Sequence, residues 1–276
     1  MKIGIIGFGN MGSAIAERIK NKYRVFVFEK DVSKTNNLSA ISVTISIKDL
    51  VDKSDIIILA VKPQDFDQVL SGIKASIGKQ LIVSIAAGIT TGYIEKILGK
   101  VRVIRVMPNI CARIGQAESS LAKGKHAVDA DLKSAERLFG FLGKTWIMAE
   151  KKIDAATAIS GSGPAYIFFD MEKNNYDPRN LSEETKNDYV QRLTKAAEKV
   201  GLDHNIASNL SACTTASSIS LSIVSWDKGI KPAELKEQVT SKKGTTEAAL
   251  KIIAKGGTWP QAAKAALKRA RELAKK

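Results

Sequence analysis

Glycines 7, 9 and 12 stand in the run Gly7-Phe8-Gly9-Asn10-Met11-Gly12, between a short apolar run, Lys2 to Ile6, and a segment of helical period from Met11 to Lys20. That spacing suits the grip of a dinucleotide. The first glycine allows a tight turn, the second lets backbone approach a pyrophosphate, the third lets helix pack on strand, and the anion sits at the helix N-terminus. All six residues are candidate contacts. The acid expected roughly 20 residues further on is Glu29, which closes a second β run, Arg24 to Phe28. Its carboxylate would accept hydrogen bonds from an adenosine ribose and repel the 2′-phosphate of NADP, so the reading leans to NADH. Lys30 and Lys34 could neutralise such a phosphate, and they keep NADPH open.

Other chemistries find no support. Gly143-Lys144-Thr145 lacks the earlier glycine of a P-loop, since Leu138 stands there, and reads as a turn. Ser160-Gly161-Ser162-Gly163 lacks the first glycine of a nucleophile elbow, and neither His126 nor His204 sits where a serine triad would need it. Cys111 and Cys213 are far apart and near neither histidine, so no metal site can be assembled.

The elements that must carry the glycine motif follow from periodicity. After the first two β runs come further ones at Ser42 to Ile45, Ile56 to Val61, Leu81 to Ile85 and Val101 to Val106, separated by helical or polar segments. Alternation of this kind predicts a parallel, doubly wound sheet of Rossmann type. A helix from about Asp129 to Leu142 and a short β run at Thr145 to Met148 follow. Beyond Glu150 the period is helical throughout: 153–171, 183–200, 205–224, 233–239, 247–255 and 261–273. The expected organisation is therefore α/β, with a dinucleotide-binding domain at 1–150 and an all-α domain at 151–276 for substrate and dimerisation.

The chain of 276 residues is 44% hydrophobic and 26% charged, the composition of a globular protein. No apolar stretch approaches the roughly 20 residues that span a bilayer, and the start of the chain does not read as a secretory signal, so the expectation is a cytoplasmic protein with no membrane partner. The formal charge of +15 suits an anionic partner. Lys264, Lys268, Arg269, Arg271, Lys275 and Lys276 read as a solvated helix surface, and no aromatic-interleaved basic run points to nucleic acid.

Six segments, in order, resemble the Δ1-pyrroline-5-carboxylate reductase family nearly end to end. They are Ile5 to Gly12, Ala60-Val61-Lys62-Pro63, Ser84-Ile85-Ala86-Ala87-Gly88, Met107-Pro108-Asn109, Ser160 to Tyr166, and Thr240-Ser241 followed by Gly244-Thr245-Thr246. The resemblance implies NAD(P)H-dependent reduction of the cyclic imine pyrroline-5-carboxylate to L-proline, the last step of proline biosynthesis, by a homodimer or higher homo-oligomer. It implies that Val61, Lys62 and Pro63 line the nicotinamide half of the cofactor and that Ala86 and Ala87 lie near its ring. Pro63 would also suit a helix start. On the substrate side the resemblance sets Ser241, Gly244, Thr245 and Thr246, with Thr246 touching substrate and assisting protonation. Backbone N–H groups there would hold the substrate carboxylate, though either threonine would equally serve as a helix cap. Gln238 and Glu150 align with substrate-side positions, Glu150 beside the ring nitrogen.

Three departures from the family pattern stand out. Where the family has Ser-Pro-Gly before Gly244, this chain has Ser241-Lys242-Lys243, which changes stiffness and charge. Ile110-Cys111 replaces Thr-Pro, and the segment between Tyr166 and Gly201 is longer, broken by Asn174 to Pro178. The alternatives are a reductase of another cyclic imine, a 3-hydroxyacid dehydrogenase on the same two-domain plan, whose lysine after the interdomain glycines is missing here, and a non-catalytic nucleotide-binding protein.

Overall fold

The computed structural model describes residues 1–36 and 38–274; Lys275 and Lys276 of the basic run lie outside the described residues. Strands β1 (Lys2–Ile6), β2 (Arg24–Phe28), β3 (Ile41–Val43), β4 (Ile56–Leu59), β5 (Leu81–Ser84), β6 (Arg102–Met107), β7 (Ala117–Lys123) and β8 (Gly143–Ile147) form one sheet. Their order is β3-β2-β1-β4-β5-β6-β7-β8, and every ladder from β3 to β6 is parallel. The order reverses between β1 and β4, the switch point beside which doubly wound sheets hold ligands.

The sequence dictates these strands through burial on both faces. Every residue of β4, Ile56-Ile57-Ile58-Leu59, is buried, as a parallel strand covered by helices on each side requires. Helices α1 (Asn10–Ile19), α2 (Ile47–Lys53), α3 (Phe66–Lys74), α4 (Thr91–Leu98) and α5 (Asp129–Phe139) supply that cover. In α1 the buried set is Gly12, Ile15, Ala16 and Ile19, the one-face spacing of a helix. Ser46 and Thr90 cap α2 and α4, their hydroxyls each accepting a backbone N–H at 3.1 Å.

The remaining helices are α6 (Glu150–Ala156), α7 (Gly163–Lys173), α8 (Glu183–Lys199), α9 (His204–Trp226), α10 (Pro232–Val239), α11 (Thr245–Ile253) and α12 (Trp259–Leu273). The single helix expected at 153–171 is divided by a π-helical turn, Thr157–Gly161, in which the Ser162 N–H reaches back to the Thr157 carbonyl at 2.9 Å. Pro164, which has no N–H to give the preceding turn, then opens α7. The break expected at Asn174 to Pro178 separates α7 from a 3-10 turn, Pro178–Asn180, that leads to α8. Gly143-Lys144-Thr145 begins β8 and is not a turn.

The chain divides into two compact units, Met1–Met107 with Leu121–Glu150, and Pro108–Ser120 with Lys151–Lys276. Residues 108–120, assigned to the first domain by sequence, thus fall in the helical unit. Cys111 explains why: it is fully buried among that unit's residues, beside the Ser217 and Ser218 hydroxyls of α9. Burial pushes its thiol pKa up to about 12, so it stays protonated and inert.

Candidate active site

In the first unit the parallel registers set Ile6 against Phe28 and Leu59, so the chain leaves β1, β2 and β4 side by side. A cavity of about 470 Å³ opens there, lined among others by Gly7, Gly9, Glu29, Ala60, Val61 and Lys62. The glycines behave differently. Gly7 has φ +97°, which a side chain rarely adopts, and a β-carbon on Gly12 would lie 2.2 Å from the Gly7 carbonyl oxygen. A β-carbon on Gly9 would meet nothing within 4 Å, so backbone there lies open to a ligand. Gly9 caps α1 without a side chain and the first turn holds no acid. Ser13 is the first residue whose N–H turns back to Gly9, at 2.9 Å; those of Asn10, Met11 and Gly12 have no partner among the described residues. Uncapped donors at a positive helix end form an anion site. These features fit a dinucleotide pyrophosphate.

Glu29 ties the glycine turn to the second strand. One carboxylate oxygen accepts the Phe8 N–H at 2.7 Å and the other the Asp31 N–H at 3.1 Å. Lys30 pairs with Asp65 at 3.1 Å and Lys34 with Asp31 at 3.5 Å. Both cations that could meet a 2′-phosphate therefore face a carboxylate already. Pro63 opens a 3-10 turn, Pro63–Asp65. Ala86 is buried in the core beneath the sheet, and Ala87 next to it is half-buried.

Glu150 is fully engaged within the first unit. Its oxygens accept the Thr91 N–H at 2.7 Å and the Thr91 hydroxyl at 2.8 Å, at the start of α4. Arg105 of β6, only 1% exposed, brings Nη1 to 3.8 Å from the same carboxylate. The carboxylate that the family resemblance set beside a substrate nitrogen thus completes a helix N-terminus and faces a buried cation. We expect Glu150→Ala to lower unfolding free energy by about 2–4 kcal/mol, because it strips acceptors from Thr91 and a counter-charge from Arg105. Urea unfolding measures this, and a loss below about 0.5 kcal/mol, the size of an ordinary surface change, would refute it.

In the second unit, α11 begins with Gly244 as its cap residue, which has no side chain to give the first turn, while Glu247 of that turn reaches back to the Lys243 N–H. The threonines therefore do not cap it. Their hydroxyls turn to Ser162, which follows directly on the π-helical turn. Thr246 Oγ1 donates to Ser162 Oγ at 3.1 Å, and Thr245 Oγ1 lies 3.2 Å from the same atom. All three residues are buried. Ser162 stood in a motif dismissed as a nucleophile elbow and in one of the family segments, but was not named a site residue, because a π turn has no signature in a 3.6 period, although such turns gather at functional sites. Gln238 accepts a hydrogen bond from Arg113 instead of standing free.

The loop before α11 is a turn in which the Gly244 N–H bonds the Ser241 carbonyl at 2.9 Å. Lys243 has φ +59° and Lys242 an ordinary φ, which makes the turn type II, and glycine is preferred at the second central position. A β-carbon in that conformation costs roughly 1–2 kcal/mol. Arg269, expected to be solvated with the rest of its helix face, is half-buried, and its Nε donates to the Lys243 carbonyl at 2.8 Å. Lys264, Lys268 and Arg271 are exposed as expected. Among the described residues no group of three or more His, Cys, Asp or Glu side chains could hold a metal ion, and no helix is long and apolar enough to cross a membrane.

Comparison with known proteins agrees with both units. Residues 2–88 match a family described as NADP oxidoreductase, coenzyme F420-dependent, and residues 188–275 match pyrroline-5-carboxylate reductase dimerisation. The pyrroline-5-carboxylate reductase of Methanosarcina acetivorans is 34% identical over all of this chain and 98% of its own. That of Pisum sativum is 34% identical over 98% of this chain and 95% of its own. The structure of the Coxiella burnetii pyrroline-5-carboxylate reductase superposes with a TM-score of 0.65 at 30% identity, covering 99% of this chain and 98% of that one. The Plasmodium falciparum pyrroline carboxylate reductase, with NADP bound, gives 0.64 at 26% identity over 99% and 98%. A nicotinamide cofactor and an oxidoreductase chemistry go with these matches, and the chain belongs to the pyrroline-5-carboxylate reductase family.

Proposed function

We propose that this enzyme reduces Δ1-pyrroline-5-carboxylate to proline, with NADH preferred over NADPH. The observation that carries the reading is the buried Ser162–Thr245–Thr246 hydroxyl cluster at an uncapped helix start. The Thr245, Thr246 and Glu247 N–H groups have no partner among the described residues, and a substrate carboxylate would complete them. The Thr246 hydroxyl, which donates to Ser162 Oγ in this structure, is the group we assign to the ring nitrogen as it gains its proton: its O–H turns to the ring, and the Ser162 O–H then donates to Thr246 Oγ1 and fixes its direction. A reduced nicotinamide supplies the hydride that the imine carbon receives. The chain's part is to bind, orient and stabilise, through Gly7 to Gly12, Glu29 and Val61-Lys62-Pro63 on the cofactor and the start of α11 on the substrate. Glu150 and Gln238, which the resemblance sets on the substrate side, bond Thr91 and Arg113, and we assign them no step.

The lean to NADH rests on Glu29 and on the pairing of Lys30 and Lys34 with carboxylates. The relative from P. falciparum has NADP bound, so the preference needs its own test. Loss of reduced-nicotinamide absorbance with pyrroline-5-carboxylate, run with NADH and NADPH, tests activity and preference together. Glu29→Ser should raise the NADPH to NADH ratio of kcat/KM by about tenfold or more, equivalent to about 1.4 kcal/mol. An unchanged ratio would refute the ribose role.

The match of residues 188–275 to a dimerisation family supports a homodimer or higher homo-oligomer. We read the setting as cytoplasmic, with which two cysteines, Cys111 and Cys213, outside any disulfide accord.

A further inference from the structure

We propose that Arg269 is a positioning residue for substrate binding: it holds the Ser241–Gly244 turn closed, in place of the proline and glycine that this turn type favours, and so keeps the α11 N-terminus aimed at the substrate carboxylate. The inference rests on the assignment of that helix start to the carboxylate.

Four observations meet here. The turn is type II, with its hydrogen bond from Gly244 N–H to the Ser241 carbonyl at 2.9 Å. Such a turn is stiffened from within by proline at the first central position, which presets φ, and by glycine at the second, which tolerates positive φ. This chain has lysine at both, and Lys243 is held at φ +59° against its own preference. Two contacts from outside make up for this, both on Lys243. Its N–H donates to the Glu247 carboxylate within α11, and its carbonyl accepts Arg269 Nε from α12. The Lys243 peptide groups are thus pinned on both sides.

Each partner is itself anchored. Arg269 is braced by Glu272, Nη1 to Oε2 at 3.0 Å. Glu247 is paired with Lys251 at 2.9 Å, and the hydrogen bonds from Lys251 and from the Lys243 N–H hold its carboxyl below the usual glutamate range. Glu247 thus stays ionised throughout the neutral range. Its target matters because Gly244 ends the turn and starts the helix: a turn that opens moves the Thr245 and Thr246 N–H groups out of register with a bound carboxylate.

Arg269→Ala should raise KM for pyrroline-5-carboxylate about tenfold, with kcat and KM for the nicotinamide cofactor within about twofold, because uniform substrate binding is lost and the chemical step is untouched. Adding Lys242→Pro and Lys243→Gly to Arg269→Ala should return KM to within about threefold of the parent, since the turn then closes unaided. Lys268→Ala, which removes an exposed cation from the same helix, should leave KM unchanged. An unaltered KM in Arg269→Ala, or a raised KM that the Pro-Gly pair does not repair, overturns the proposal. The staple also has a readout that does not depend on the substrate. Exchange of the Gly244 amide hydrogen should speed up about tenfold in Arg269→Ala and slow again in the Pro-Gly variant. No turnover by the parent would overturn the substrate assignment, whereas unchanged Gly244 exchange would overturn the staple.

Discussion

Replacing Gly12 by alanine will weaken binding of NADH and NADPH by about 100-fold or more, roughly 3 kcal/mol. The β-carbon would arrive 2.2 Å from the Gly7 carbonyl oxygen, and that neighbour is backbone. Either α1 withdraws from β1 or the Gly7 peptide turns, and both move the unpartnered N–H groups of Asn10 and Met11 that we assign to the pyrophosphate. Gly9→Ala makes the useful contrast. Its β-carbon meets no protein atom within 4 Å, so thermal unfolding should match the parent while cofactor affinity falls, because the methyl takes space the ligand would use. Fluorescence titration reads both variants. Binding by Gly12→Ala within about threefold of the parent would show that the crevice does not depend on this packing.

Thr246→Ala will lower kcat/KM by 10- to 1,000-fold, corresponding to a lost transition-state contact of roughly 1.4–4 kcal/mol. The substitution removes the hydroxyl that donates to Ser162 at 3.1 Å and leaves Ser162 with Thr245 alone. Cofactor affinity, set in the other unit, should stay within about twofold. Thr246→Ser keeps the hydroxyl and should recover most of the rate. An Ala variant as fast as the parent would remove Thr246 from the chemistry.

The fold was legible where burial and residue type speak together. β1 and β2 have the bounds read from their apolar runs, and the glycine motif with Glu29 falls at the switch point of the sheet. β7 was invisible because Ala117-Glu118-Ser119-Ser120-Leu121-Ala122-Lys123 has no β-branched or aromatic residue, so only its neighbours make it a strand. The site was legible in part. Thr245 and Thr246 could be named from a motif, but their turn toward Ser162 depends on a π turn that periodicity does not report. The partners of Glu150 and Gln238 were not legible, because a polar side chain's partner far along the chain, Thr91 for one and Arg113 for the other, cannot be seen before the chain folds. Arg269 shows the converse, a residue that looked like solvated charge until the strain at Lys243 gave it a task.

The excursion of residues 108–120 into the helical unit bears on how this protein can be taken apart. The chain crosses from one unit to the other after Met107, after Ser120 and after Glu150, so no single cut yields either unit whole. A fragment ending at 150 would carry Ile110, Cys111 and Ala112, all buried in the intact chain, without the helices they pack among. A fragment beginning at 151 would lack them. The units are thus interleaved modules, and truncation or domain-exchange designs must graft 108–120 along with the helices it serves.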